Sequence, residues 1–212
     1  MLKLLPNILT LMRLALSVVF LVMILCAPHV ENRTLFLDVA FVLFVVAGLT
    51  DVVDGHVARR FNATSKFGRM IDPLVDKVLV CGAFTCFAII GEPKLFGLSG
   101  VPLAAIHWFV VAVLVAREAY VTVLRHLAEA HGVNFAATAS GKFKMLLQSF
   151  AIGTVLIKMA HVTKPWGDYF TAVTFVAMVV MTVISGYLAT RRPSWKQLKA
   201  EEKAHDSSSM PA

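Results

Sequence analysis

Four aspartates, Asp51, Asp54, Asp72 and Asp76, crowd between positions 51 and 76. Residues three and four apart share one face of a helix. Asp51, Asp54, Gly55 and Ala58 therefore form one stripe, and Gly68, Asp72 and Asp76 form another. A short basic stretch joins the two, so the stripes can face each other. Packed carboxylates repel and resist ionising together, and divalent cations remove that penalty. A set of oxygen donors without Cys or His suits Mg2+ or Mn2+ rather than zinc. The glycines and alanine on the same stripes leave backbone open to a flat or bulky ligand. Helix capping accounts for Asp72, which stands just before Pro73 as an N-cap before a first-turn proline. It does not account for all four acids together with the small residues beside them.

A second group is basic. Gly141, Lys144 and Gln148 share a helical face, as do Glu118, Thr122 and Arg125. Arg117, Arg125, Lys142 and Lys144 would suit a phosphorylated ligand, with arginine binding phosphate in a bidentate manner. The alternative is that they are anchors reaching to anionic head groups. Glu118 is expected to orient one of the arginines. Cys26, Cys81 and Cys86 lie inside apolar runs, form no C-x-x-C pair, and read as packing residues. The histidines are scattered, and His56 reads as interfacial.

These groups must be positioned by elements of unusual composition. The chain has 212 residues, 58% hydrophobic and 16% charged, with a mean hydropathy of +0.76. Soluble domains carry about 45–50% apolar and about 25% charged residues. The balance excludes a disordered chain, a collagen-like fibre and a disulfide scaffold. The net charge of +7 lies between apolar runs rather than in one patch, so it points to asymmetric loops and a phosphate-rich substrate, not to nucleic acid. A span needs about 20 mostly apolar residues to cross roughly 30 Å of hydrocarbon. Six stretches qualify, near 7–27, 34–56, 69–90, 101–126, 139–160 and 167–189. Backbone groups in lipid must be satisfied internally, so these are helices. The expected fold is an all-α polytopic membrane protein.

Arg13 interrupts the first apolar run and no small-x-small site follows, so a retained helix is expected rather than a cleaved leader. Sixteen of the 20 Lys and Arg residues fall on the side that receives the N-terminus, the second-to-third and fourth-to-fifth connections and the tail. Both termini are therefore expected in the cytoplasm. Residues 1–190 read as one membrane domain and 191–212 as a polar cytoplasmic tail.

Read as a string, residues 51–76 follow D-x2-D-G-x2-A-R-x8-G-x3-D-x3-D. This resembles the signature of the CDP-alcohol phosphotransferase family. The resemblance implies six transmembrane helices, a homodimer, and a motif at the cytoplasmic surface of a bacterial inner membrane. It implies that Asp51, Asp54 and Asp72 hold a two-metal site of Mg2+ or Mn2+, with Asp76 contributing to it and serving as general base. Gly55, Ala58 and Arg59 would line the pocket for the CDP moiety, and Ser65 would touch the same phosphates. Asn7, Thr10 and Gly68 are placed in the same CDP-lipid site. The opening Asn7-Ile8-Leu9-Thr10-Leu11-Met12-Arg13 is similar to the N-x-L-T-x-x-R start of the branch that makes phosphatidylglycerophosphate. The stretch Arg117-Glu118 through Leu124-Arg125 to Gly141-Lys142-Phe143-Lys144 and Gln148 resembles its R-E-x5-L-R and G-K-x-K-x3-Q region. Met145 replaces a usual threonine, and Val52-Val53 stand where an aromatic is common; neither touches the charged chemistry.

The expected reaction takes CDP-diacylglycerol and sn-glycerol 3-phosphate to phosphatidylglycerophosphate and CMP, with membrane lipids around the enzyme. Rival acceptors are phosphatidylglycerol, inositol phosphate and serine. A rival from another class is a metal-ion transporter, although its acids would sit at the bilayer midplane rather than at one surface.

Overall fold

The computed structural model describes the backbone of residues 5–61, 66–130 and 139–191, and side chains over 11–50, 74–130, 141 and 143–191. The described residues form six long helices, α1 (Leu5–Cys26), α2 (Arg33–Phe61), α3 (Lys66–Ile90), α4 (Val101–Ala130), α5 (Ala139–His161) and α6 (Trp166–Thr190), and no strand. Each covers one of the stretches expected from hydropathy. A single 3-10 turn, Ala27–His29, links α1 towards α2.

Five of the described stretches are long and apolar enough to cross a bilayer: Leu11–His29, Arg33–Thr50, Val101–Ala130, Phe143–His161 and Trp166–Thr190. The side chains of α3 are described from Leu74 onward, and its stretch 78–90 is an uncharged apolar run.

The helices close into a ring. Helix α1 packs on α2 and α3, α2 on α5, α5 on α6, α6 on α4, and α4 back on α3; α3 also reaches α5 across the middle. Phe20, Leu37, Phe87, Leu114, Ile152 and Met178 fill the interior and are essentially without exposure. Phe20 and Phe44 lie 5.3 Å apart between ring centroids, and Phe84 and Phe175 meet edge-on at 5.9 Å. Close approach is permitted by glycine. A Cβ at Gly82 would fall 2.7 Å from Cδ1 of Leu21, so the Leu21 side chain of α1 rests directly on the α3 backbone. Outward faces carry Phe109, Leu146, Val173 and Val176, a coat that suits lipid rather than water.

Three hydroxyls inside the ring are satisfied on their own helices. Ser17, Thr85 and Thr182 each donate to the carbonyl four residues back, at 2.7–2.8 Å. One end of the bundle is strapped by ion pairs. Arg33 reaches Glu92 at 3.1 Å, and Asp168 takes Lys158 on Oδ1 at 2.5 Å and the Phe96 N–H on Oδ2 at 2.9 Å. That last bond helps to hold Phe96 at a φ of +52°, a conformation a bulky residue rarely adopts.

Candidate active site

Charged side chains gather at the other end of the ring. Asp51, Asp54, Gly55, Ala58 and Arg59 occupy the last turns of α2, while Gly68, Asp72 and Asp76 occupy the first turns of α3. Asn7 and Thr10 lie in the first turns of α1. Of these, only the side chain of Asp76 is described. The side chains of Asn7, Thr10, Asp51, Asp54, Gly55, Ala58, Arg59, Gly68 and Asp72 lie outside the described residues, and Ser65 lies outside them altogether. Among the described residues no three metal-ligating side chains converge. The expected four-carboxylate cluster is thus represented by one member.

That member is held from another helix. Arg13 of α1 donates through Nη2 to Oδ1 of Asp76, and the arginine is only 4% exposed. A charge at such depth is tolerated because it is paired. The neighbouring Lys77 turns to a different partner: its Nζ donates to Oγ1 of Thr122 on α4 at 2.5 Å. The Thr122 hydroxyl in turn donates to the carbonyl of Glu118.

The basic group assembles on the other side of α4. Arg117 donates through Nη1 to Oε1 of Glu118 at 2.9 Å and through Nη2 to Oγ of Ser185 on α6 at 2.6 Å. Lys144 of α5, also 4% exposed, binds the same Oε1. Arg117 and Lys144 meet on Glu118, which binds an arginine, as the sequence reading has it, and the lysine besides. Gln148 follows one turn after Lys144 and is buried; its Nε2 finds no hydrogen-bond partner among the described residues. Arg125, two turns beyond Arg117, is half-buried, and its Nε likewise finds none there. The side chain of Lys142 lies outside the described residues.

Arg13, Lys77 and Ser185 were not among the expected site residues. Arg13 had a signal, since a lone arginine inside an apolar run costs several kcal/mol unless it has a partner. Ser185 had none, because a serine in a membrane helix usually satisfies itself on its own backbone. Beside the cluster a cavity of about 620 Å3 opens between α1, α3 and α4, walled by Leu21, Lys77, Gly82, Glu118 and Thr122. The site can therefore offer anion-binding cations, an oriented carboxylate and an apolar outlet within one end of the bundle.

The chain compares closely with proteins of known family. It is 34% identical over 206 residues to the CDP-diacylglycerol–glycerol-3-phosphate 3-phosphatidyltransferase of Bacillus subtilis (strain 168), covering 92% of this chain and 97% of that one. It is 32% identical over 187 residues to a probable phosphatidylglycerophosphate synthase of Mycobacterium tuberculosis (strain ATCC 25618 / H37Rv), covering 86% and 78%. It is 29% identical over 185 residues to the CDP-diacylglycerol–glycerol-3-phosphate 3-phosphatidyltransferase of Rickettsia typhi (strain ATCC VR-144 / Wilmington), covering 87% and 94%. A family model described as CDP-alcohol phosphatidyltransferase matches residues 3–189. With the signature spacing, the six-helix ring and this match over nearly its whole length, the chain belongs to the CDP-alcohol phosphatidyltransferase family.

Proposed function

We propose that the protein transfers the phosphatidyl group of CDP-diacylglycerol to sn-glycerol 3-phosphate, yielding phosphatidylglycerophosphate and CMP. The observation that carries the reading is the buried pairing of Arg117 and Lys144 on Glu118, at the same end of the bundle as Asp76. It gives a phosphorylated acceptor a cationic seat beside the signature carboxylates. The activities for which the relatives are named support the same donor and acceptor.

The donor set fits a divalent metal pair. Asp51, Asp54, Asp72 and Asp76 supply only oxygen ligands, at spacings of three and four on two sequential helices. Bound Mg2+ or Mn2+ would neutralise the pyrophosphate and stabilise CMP as the leaving group. The residues of the chain do the rest. Arg117 and Lys144, with Arg125, Lys142 and Gln148 nearby in sequence, hold the acceptor's phosphate. Asp76 takes the proton from the acceptor's primary hydroxyl. The hydroxyl oxygen bonds to the phosphorus that bears diacylglycerol, and the bond from that phosphorus to the CMP oxygen breaks. Arg13 fixes the bearing of the Asp76 carboxylate, so the transfer depends on positioning more than on new covalent chemistry. Asn7, Thr10, Gly55, Ala58, Arg59, Ser65 and Gly68 form the CDP-lipid site, where small residues admit the nucleotide to the backbone. Acyl chains pass into the bilayer through the groove between α1, α3 and α4.

The same reading gives six spans, a homodimer, both termini in the cytoplasm and an active site facing it, in a bacterial inner membrane. Residues 1–190 form the membrane domain and 191–212 the polar tail. Purified protein assayed with CDP-diacylglycerol, Mg2+ or Mn2+ and a panel of alcohols tests the acceptor. CMP release with glycerol 3-phosphate is expected. Release with inositol phosphate, serine or phosphatidylglycerol but not with glycerol 3-phosphate would reassign it.

A further inference from the structure

The Arg117–Glu118–Lys144 cluster is built more tightly than a pair of anchoring cations requires. One carboxylate oxygen takes donors from both cations. On its far side the Arg117 guanidinium is fixed by Ser185, which is 3% exposed. Three helices, α4, α5 and α6, thereby hold a guanidinium and an ammonium in place before substrate arrives. Two cations against one carboxylate leave an excess of one positive charge, set among apolar helix faces.

A separate observation bears on what completes the cluster. Nε of Arg117 and Nε2 of Gln148 are buried N–H donors with no partner among the described residues. Buried donors left unpaired are costly, and here both lack an acceptor rather than a donor. An oxyanion supplies what they lack. A phosphate monoester brings several acceptor oxygens and a compensating charge, whereas an unphosphorylated alcohol brings hydroxyls that must themselves donate.

We infer that Glu118 and Ser185 are positioning residues that hold Arg117 and Lys144 at a fixed spacing, and that this spacing selects a phosphate monoester on the acceptor over an unphosphorylated alcohol. The inference rests on the proposed phosphatidyl transfer. Glu118 acts through the cations. Without its charge they repel each other in a medium of low dielectric and move apart. Ser185 acts through Arg117, which without the hydroxyl turns on Glu118 alone.

The test uses full-length protein with CDP-diacylglycerol and Mg2+, and compares glycerol 3-phosphate with glycerol as acceptors. Glu118→Gln raises the KM for glycerol 3-phosphate about 10–100-fold, the size of a lost charge-assisted contact, while the KM for CDP-diacylglycerol holds. Ser185→Ala gives a smaller rise in the same direction, and Ser185→Thr, which keeps a hydroxyl, restores it. Preference for glycerol 3-phosphate over glycerol narrows in the first two variants. The reciprocal exchange Glu118→Lys with Lys144→Glu recovers the thermal midpoint but not the KM, because the ammonium no longer stands where phosphate needs it. An exchange variant with a normal KM reduces the cluster to a structural ion pair and overturns the inference. So do unchanged acceptor kinetics in both Glu118→Gln and Ser185→Ala, or equal losses for donor and acceptor. Wild-type protein that prefers an unphosphorylated alcohol overturns the acceptor assignment itself. Wild-type protein that uses glycerol 3-phosphate beside indifferent variants overturns only the positioning role.

Discussion

Asp76 receives its oriented bond from Arg13, which stands deep in an apolar helix and is nearly inaccessible. Pairing at that depth fixes a carboxylate that would otherwise swing, and orientation is what a general base needs most. Asp76→Asn keeps the shape and a hydrogen-bond acceptor but cannot take the hydroxyl proton. Turnover is expected to fall about 10²–10⁴-fold or more, with helical content by circular dichroism unchanged. Asp51→Asn or Asp54→Asn acts earlier, by removing a ligand oxygen. Binding of CDP-diacylglycerol then no longer responds to added Mg2+, which calorimetry with and without chelator measures. Lys144→Ala leaves Glu118 to Arg117 alone. The KM for glycerol 3-phosphate rises about tenfold or more while kcat changes less. Normal acceptor kinetics in that variant would remove Lys144 from the pocket.

At the scale of elements, the ring order decides which residues can meet. Helices α3 and α4 pack side by side, so Lys77 can reach Thr122; α4 also packs on α6, so Arg117 can reach Ser185. The opposite end is closed by different contacts. Asp168, at the start of α6, joins Lys158 of α5 and the backbone of Phe96 in the α3–α4 connection. These groups are remote in the fold from Asp76 and Glu118, at the other ends of their helices. Asp168→Ala is therefore expected to cost about 1–2 kcal/mol, the loss of a partly shielded charge-assisted pair. A lower thermal midpoint in detergent with both KM values unchanged would show that the strap stabilises without entering the chemistry. A changed acceptor KM would show that strain travels along α5 to Lys144.

The whole molecule is a ring of helices with apolar faces turned both inward and outward. Sixteen of its 20 Lys and Arg residues fall, by position in the sequence, in the N-terminal stretch, at the second-to-third and fourth-to-fifth connections and in the tail, which on the proposed reading face the cytoplasm. Labelling in intact cells checks the orientation. With Cys26, Cys81 and Cys86 replaced, Ser99→Cys is expected to react with a membrane-impermeant maleimide added outside, and Ser208→Cys only after permeabilisation. The reverse pattern would invert the protein and its active site.

Much of this was already legible in the residue order. Apolar runs of bilayer length require helices, because lipid offers no partner for an open backbone. Aspartates at spacings of three and four announce a shared face, since helical periodicity is local. The stretch Arg117-Glu118 with Lys144 and Gln148 could be read from its charge either as a phosphate seat or as head-group anchors. What periodicity does not carry is which helix lies next to which. The bond from Arg13 to Asp76 and that from Arg117 to Ser185 join residues 63 and 68 positions apart. So the identity of Arg13 as the partner of Asp76, of Glu118 as a bridge between two cations, and of Ser185 as a tether was decided only by tertiary packing. The physical reason is range: hydropathy and helical spacing act within a few turns, while a buried charge finds its counterpart wherever the ring brings one within reach.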